Sequence, residues 1–201
     1  MKATDQRRRR SDGERSRRAI LDAATALASV GGLEGLSIGR LAEHVGMSKS
    51  GLYAHFGSKQ ELQLATIAAA EEVFRREVTE PAEREPDGVR RILAQADAYL
   101  SYLGRRVFPG GCFFAATSAE LAGREGPVAD RVRELNATAL SDLVDQLRVA
   151  QEAGQLGPGA DPDQLAFEVD SIMLGAHSGF LLFGDPAYLE RARRAIRARL
   201  A

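Results

Sequence analysis

A lysine flanked by two serines, Ser48-Lys49-Ser50, opens a short helical stretch that runs to Phe56. Short polar side chains on the first turn of an exposed helix suit hydrogen bonding to base edges in a DNA major groove. The neighbouring residues meet the packing demands of that task. Val45, Leu52 and Phe56 are spaced to pin the stretch to a core, and Ala42 is small enough for a close helix crossing. Gly46 tolerates the positive φ of a tight turn. Ser48 reads first as an N-cap and second as a base contact.

A second concentration of chemistry lies in the C-terminal two thirds. Tyr99, Tyr102, Phe108, Phe113, Phe114 and Phe180 gather aromatic rings in a chain that is only 6% aromatic. An apolar pocket between helices with a few polar groups is the usual form of a small-molecule site, and Thr117, Ser118, Glu120, Asp170 and His177 could supply those groups. Each ring taken alone reads first as core packing, and His177 reads as a core or interface histidine ahead of a ligand contact. Cys112 follows Pro109-Gly110-Gly111 and starts a helix, where a thiol pKa falls. It is read as a small buried apolar residue ahead of a thiol or electrophile sensor.

The chain shows no metal-spaced His/Cys cluster, no phosphate-binding glycine loop and no Ser/His/Asp motif in a recognisable context. Neither an enzyme nor a cofactor or metal is expected. A single cysteine permits no intramolecular disulfide, which fits a cytoplasmic location. The net charge of -1 hides an asymmetry. Residues 1–60 carry 11 basic and 6 acidic side chains, whereas the remainder carries 16 and 22. A basic head on an acidic body points to a polyanionic partner for the head alone. No membrane span is expected, since the apolar stretch from Ser171 to Gly184 is short and contains His177. Ser16-Arg17-Arg18 imitates a twin-arginine export signal, but Asp22 interrupts the apolar segment that would have to follow.

The elements that must position these residues follow from periodicity. Residues 1–14 are polar, include the run Arg7 to Arg10 and show no apolar period, so they read as a flexible basic arm. Residues 15–60 carry three short helices, broken at Gly31-Gly32, Gly46 and Gly57, with Ser37 and Ser48 as N-caps. Ser58 caps a long fourth helix with Glu61 at the capping-box position, and Pro81 and Pro86 bracket the loop after it. Helical periods recur through residues 61–201, the last two at 165–183 and 187–200. The fold is read as all-α, with about nine helices.

The stretch from Leu36 to Leu62, and above all Gly51-Leu52-Tyr53-Ala54-His55-Phe56-Gly57-Ser58-Lys59-Gln60-Glu61-Leu62, closely resembles the tetracycline-repressor (TetR) family. The likeness covers about residues 15–65. It implies an N-terminal helix-turn-helix head and a C-terminal ligand-binding and dimerisation domain. By that resemblance Ser37 and Arg40 face the DNA backbone, Lys49 and Ser50 reach base edges, and Tyr53, His55 and Lys59 contact phosphates. Tyr53 could instead be a partly buried core residue, and His55 and Lys59 surface residues. Gly39 departs from the longer side chain often found at its position.

The resemblance further implies a homodimer on double-stranded operator DNA, formed through the last two helices, with a small-molecule effector in the body. The effector acts as an inducer, with a corepressor, an activating regulator of the same fold or a constitutive DNA-binding protein as alternatives. The arginines of the last helix read as a solvated face or as partners for acids on the second subunit. The fourth helix reads as the single rigid element joining head to body.

Overall fold

The computed structural model describes residues 2–201, with side chains from Gly13 onward. Among these there are nine helices and no strand. They are α1 (Lys2–Gly31), α2 (Ile38–His44), α3 (Lys49–Phe56), α4 (Lys59–Phe74), α5 (Val89–Gly104), α6 (Phe113–Leu121), α7 (Pro127–Glu152), α8 (Pro162–Phe183) and α9 (Ala187–Arg199).

α1 begins well inside the segment that periodicity leaves as an arm. Arginine, lysine and glutamine are good helix formers even without an apolar stripe. The side chains of Arg7 to Arg10, and any phosphate contact they make, lie outside the described residues. The stretch from Arg15, which contains the twin-arginine look-alike, is part of this helix, with Ile20 and Ala24 buried.

α4 also runs past its expected end. A π-helical turn, Arg75–Thr79, and a last turn, Glu80–Ala82, carry it through Pro81. Proline has no N–H and crowds the preceding turn, and the wider register absorbs that defect. The Glu80 N–H bonds to the Arg75 carbonyl in that register.

Three cores organise the chain. The first belongs to the head and joins Ile20 and Ala24 of α1, Leu41 and Ala42 of α2, Leu52 and Phe56 of α3, and Leu62 of α4. The second fills the upper body with the aromatic residues of α5 and α6. The third holds α5, α7, α8 and α9 together around Leu147, Ala166 and Ile196. α4 spans the first two, since Leu62 lies in the head core and Ile67 and Ala70 in the body core. It does not do so alone. Ala28, on the same helix as Ile20 and Ala24, lies in the body core, followed by Leu33. Two helices therefore join head to body.

α8 is longer than the apolar stretch seen in the sequence. It has 22 residues, and an 18-residue window of it reaches a mean hydropathy of 1.2, long and apolar enough to cross a membrane by length and composition alone. One side, with Leu165, Ala166, Val169, Ala176 and Phe180, is core. The other exposes Phe167, Leu174, Leu182 and Phe183. α9 behaves oppositely. Its apolar residues Leu189, Ala192 and Ile196 face inward, and three of its five arginines bond acids within the same chain. Arg193 and Arg197 both bond Asp97 of α5, at 2.8 and 2.6 Å, and Arg199 bonds Glu168 of α8.

The head core sets a measurable expectation. Leu52 is fully buried at the centre of α3. Leu52→Ala should lower stability by about 2–5 kcal/mol in denaturant unfolding, through lost transfer energy and a residual cavity. A loss below about 1 kcal/mol would show that this contact does not hold α3 in place.

Candidate nucleic-acid interface and regulatory core

Each functional side chain of the head is placed by a cap or a buried neighbour. Ser37 caps α2, its Oγ accepting from the Arg40 amide at 3.2 Å. Ser48 caps α3 by accepting from the Gly51 amide at 3.0 Å. A hydroxyl that accepts in this way can still donate its own proton. Ser50 Oγ lies 3.2 Å from Ser48 Oγ, so the first turn of α3 carries two linked hydroxyls. The turn between α2 and α3 closes through Gly46 at φ 67°, and Met47 N–H bonds the Ala42 carbonyl at 2.9 Å.

This arrangement leaves one face open. Ser48, Lys49, Ser50, Tyr53 and Arg40 are all exposed, Tyr53 by 53%. The alternative reading of Tyr53 as a core residue therefore gives way. Leu52 and Phe56 take the buried side of α3 and leave the tyrosine to solvent. His55 is half-buried against the Phe56 ring, and its carbonyl accepts from Arg17 at 2.8 Å. Arg17 also lies over the Phe56 ring, 4.6 Å from its centroid, and ties α1 to the end of α3.

Lys59 is engaged within the head. Its Nζ donates to the Glu34 carbonyl at 2.9 Å and the Glu34 carboxylate at 3.3 Å. Both side chains are nearly half exposed, and an exposed pair of this kind contributes about 0–1 kcal/mol, so a phosphate can compete for the ammonium.

The substitution at Gly39 acquires a physical meaning. A Cβ there would lie 3.2 Å from Lys49 Cε and 3.6 Å from Nζ. The lysine stem therefore lies across α2, in the gap that a longer side chain would fill. An open cleft of about 530 Å³ separates the two helices here, lined by Ser37, Gly39, Arg40, Glu43, Met47 and Lys49. The absence of a side chain at Gly39 thus leaves room for the Lys49 stem.

In the body, Tyr99, Tyr102, Phe108, Cys112, Phe113, Thr117, His177 and Phe180 are all buried. The rings form one packed cluster. Tyr99 stacks on Tyr102, and Phe108 meets Tyr102 edge-on at 6.1 Å. Phe74 of α4 is a member too. It packs edge-on to Tyr102 at 5.9 Å and to Phe114 at 5.8 Å. Thr117 turns its hydroxyl back to the Phe113 carbonyl at 3.0 Å.

Burial pushes the Cys112 thiol up, against the lowering by nearby backbone amides. Desolvation here outweighs the helix N-terminus, so the thiolate is disfavoured and the small-buried-residue reading prevails. Burial likewise raises Tyr99 and Tyr102 and lowers His177, keeping all three neutral near pH 7. Among the described residues, three buried side-chain atoms make no hydrogen bond within the chain: Tyr102 Oη, Ser118 Oγ and His177 Nε2.

A capped, apolar-pinned recognition helix beside a second helix, mounted on a separate helical body, defines a helix-turn-helix regulatory architecture. Comparison with known proteins identifies the family. Residues 20–66 match the model of bacterial regulatory proteins of the tetR family, and residues 88–196 match the tetracyclin repressor-like C-terminal domain. The chain belongs to the TetR family.

One relative is the HTH-type transcriptional repressor KstR of Rhodococcus jostii (strain RHA1), 31% identical over 142 residues. That match takes in 67% of this chain, which spans about two thirds (66%) of the relative's length. A TetR transcriptional regulator from Chloroflexus aurantiacus superposes with a TM-score of 0.85 at 27% identity, over 95% of this chain and 100% of that one. AibR, solved with isovaleryl coenzyme A and operator DNA, shares the fold with a TM-score of 0.72 at 22% identity, over 92% and 97% of the two chains.

The Gly39–Lys49 contact leads to a paired prediction. Lys49→Ala should relax discrimination at one base pair by about 1–3 kcal/mol. Gly39→Thr should displace the lysine and change the preferred base at that position, with non-specific affinity held within about threefold, since phosphate contacts supply most of that affinity. Binding to a duplex library read by sequencing checks both. A uniform loss of affinity with a salt slope lower by about one would assign Lys49 to a phosphate instead.

Proposed function

We propose that this chain is a transcriptional repressor that binds operator DNA as a homodimer in the cytoplasm and is released by a small-molecule inducer bound in its helical body. The observation that carries this reading is the exposed polar first turn of α3, with Lys49 and Ser50 presented by a helix whose other side is buried through Leu52 and Phe56. Ser37, Arg40, Tyr53, His55 and Lys59 flank that turn and are assigned to the phosphate backbone, with Ser48 as cap and secondary base contact. The repressor KstR at 31% identity supports the regulatory role. AibR, solved with both a ligand and operator DNA, shows what the fold can accommodate.

The proposed dimer face is built from α8 together with α7, instead of α8 and α9. Phe167, Ser171, Leu174, Gly175, Ser178 and Leu182 form one exposed stripe along α8, with small residues between the large apolar ones. Such a stripe lets a second helix approach closely and bury the large side chains. Leu140 of α7 is a further exposed apolar side chain. α9 commits its own apolar face and Arg193, Arg197 and Arg199 to the subunit itself.

The proposed effector site is the aromatic cluster, entered by displacing packed rings. Tyr99, Tyr102, Phe108, Phe113 and Phe180 supply apolar walls, and Tyr102, Ser118 and His177 offer unpaired polar atoms that a ligand can satisfy. With Cys112 and Thr117 also buried here, the lining is neutral, which favours a largely apolar effector carrying one or two hydrogen-bonding groups. Displacement of Phe74 would shift α4 and with it the head.

Two measurements test this reading. Leu174→Glu should convert a dimer into a monomer in light scattering and weaken binding to a selected DNA duplex by more than about 100-fold, because the second head no longer acts at high effective concentration. Arg194→Glu, on the outer face of α9, should leave both unchanged. A wild-type monomer at micromolar concentration, or a dimer broken by the α9 variant instead, would contradict the assignment.

A further inference from the structure

The turn that joins α1 to α2 is held from three directions. Leu33 N–H and Glu34 N–H both donate to the carboxylate of Glu120, each at 2.8 Å. The Leu33 carbonyl accepts from Gln63 Nε2 of α4 at 2.8 Å, and the Glu34 carbonyl accepts from Lys59. Gln63 and Lys59 come from the helix that the head already shares. Glu120 comes from α6, more than eighty residues away in sequence.

The fit between carboxylate and turn is close. A Cβ at Gly32, where φ is +75°, would lie 2.5–2.7 Å from the Glu120 carboxylate atoms. Only glycine leaves the carboxylate room to seat there. A charged acceptor shared by two successive amides is among the stronger hydrogen-bond arrangements and fixes direction as well as distance. Beyond Gly35 come Leu36, buried in the head core, and Ser37, the cap of α2. A second link lies alongside, where Gly110 N–H donates to Ser29 Oγ of α1 at 3.1 Å.

α6 also carries Phe113, Phe114 and Thr117, which pack in the aromatic cluster. Glu120 stands at the end of that helix, about two turns on. Any rearrangement that moves α6 by a fraction of an ångström must stretch or release the two bonds to the turn, since a hydrogen bond weakens steeply beyond its preferred distance.

From this geometry we propose that Glu120 is a positioning residue for DNA binding: it seats the head on the body and sets the angle at which α2 and α3 meet the duplex. The proposal rests on the repressor reading above. α6 thereby forms a route from core to head beside the one through α4, with Glu120 as its last member.

The test separates angular control from stability. A duplex is selected by the wild-type protein from a random-sequence library, and a second is made with one base pair inserted between its half-sites. The insertion turns one half-site by about 35° relative to the other. The wild type should lose about 30-fold in affinity on that insertion. Glu120→Gln keeps one acceptor and opposes the other amide with an NH₂ group, and Glu120→Ala removes both acceptors. Both variants should lose less than about fivefold, because a loosened head tolerates misplacement.

Amide exchange at Leu33 and Glu34 should be at least about tenfold faster in Glu120→Gln, with the amides around Ala24 unchanged. A general loss of stability would lower affinity for both duplexes alike and leave their ratio at the wild-type value, which would overturn the proposal. Unchanged exchange at Leu33 and Glu34 would overturn it as well. Failure of the wild type to select any duplex overturns the repressor reading and this inference together. An unchanged ratio in a wild type that does select DNA overturns only the role of Glu120.

Discussion

An eight-residue helix has no stability of its own in water, because nucleation fixes several backbone dihedrals for one hydrogen bond. α3 exists because Leu52 and Phe56 are buried between α1, α2 and α4. That burial orders the polar first turn, and Ser48 satisfies an amide that would otherwise be orphaned. Arg17 then fixes the far end of the helix by covering Phe56 and bonding the His55 carbonyl. The exposed polar face of the head is therefore a consequence of a small apolar core whose members come from four helices.

A head held in this way is rigid inside but must still be oriented. Orientation comes from α1 and α4, which each place residues in both the head core and the body core, and from the turn gripped by Glu120. Both helices reach the aromatic cluster, α1 through Ala28 and α4 through Phe74. That cluster is tightly packed. Packed cores respond to intruders by discrete shifts more readily than by smooth deformation. The same residues that stabilise the body are thus placed to communicate with the head.

Features governed by local rules were legible in the sequence. The caps Ser37, Ser48 and Ser58, the turn at Gly46 and the burial of Leu52 and Phe56 each depend on neighbours within a few residues. Features governed by distant partners were not. Nothing near Glu120 indicates that its carboxylate meets the amides of Leu33 and Glu34, and the pairing of Lys59 with Glu34 depends on how α4 folds back. The arginines of α9 look free in sequence because their partners, Asp97 and Glu168, are roughly 100 and 30 residues away. The continuation of α4 through Pro81 depends on a change of helical register that no periodicity reports. The N-terminal part of α1 was hidden for a different reason: helix propensity without an apolar face leaves no periodic signal.

In the proposed complex two copies of this head read one duplex from one side, at a separation fixed by the body. Hydroxyl-radical footprinting on a selected duplex tests this arrangement. Two short protected patches on one face of the DNA are expected, with centres about one helical turn apart or somewhat more. A single patch, or continuous protection around the helix, would contradict it.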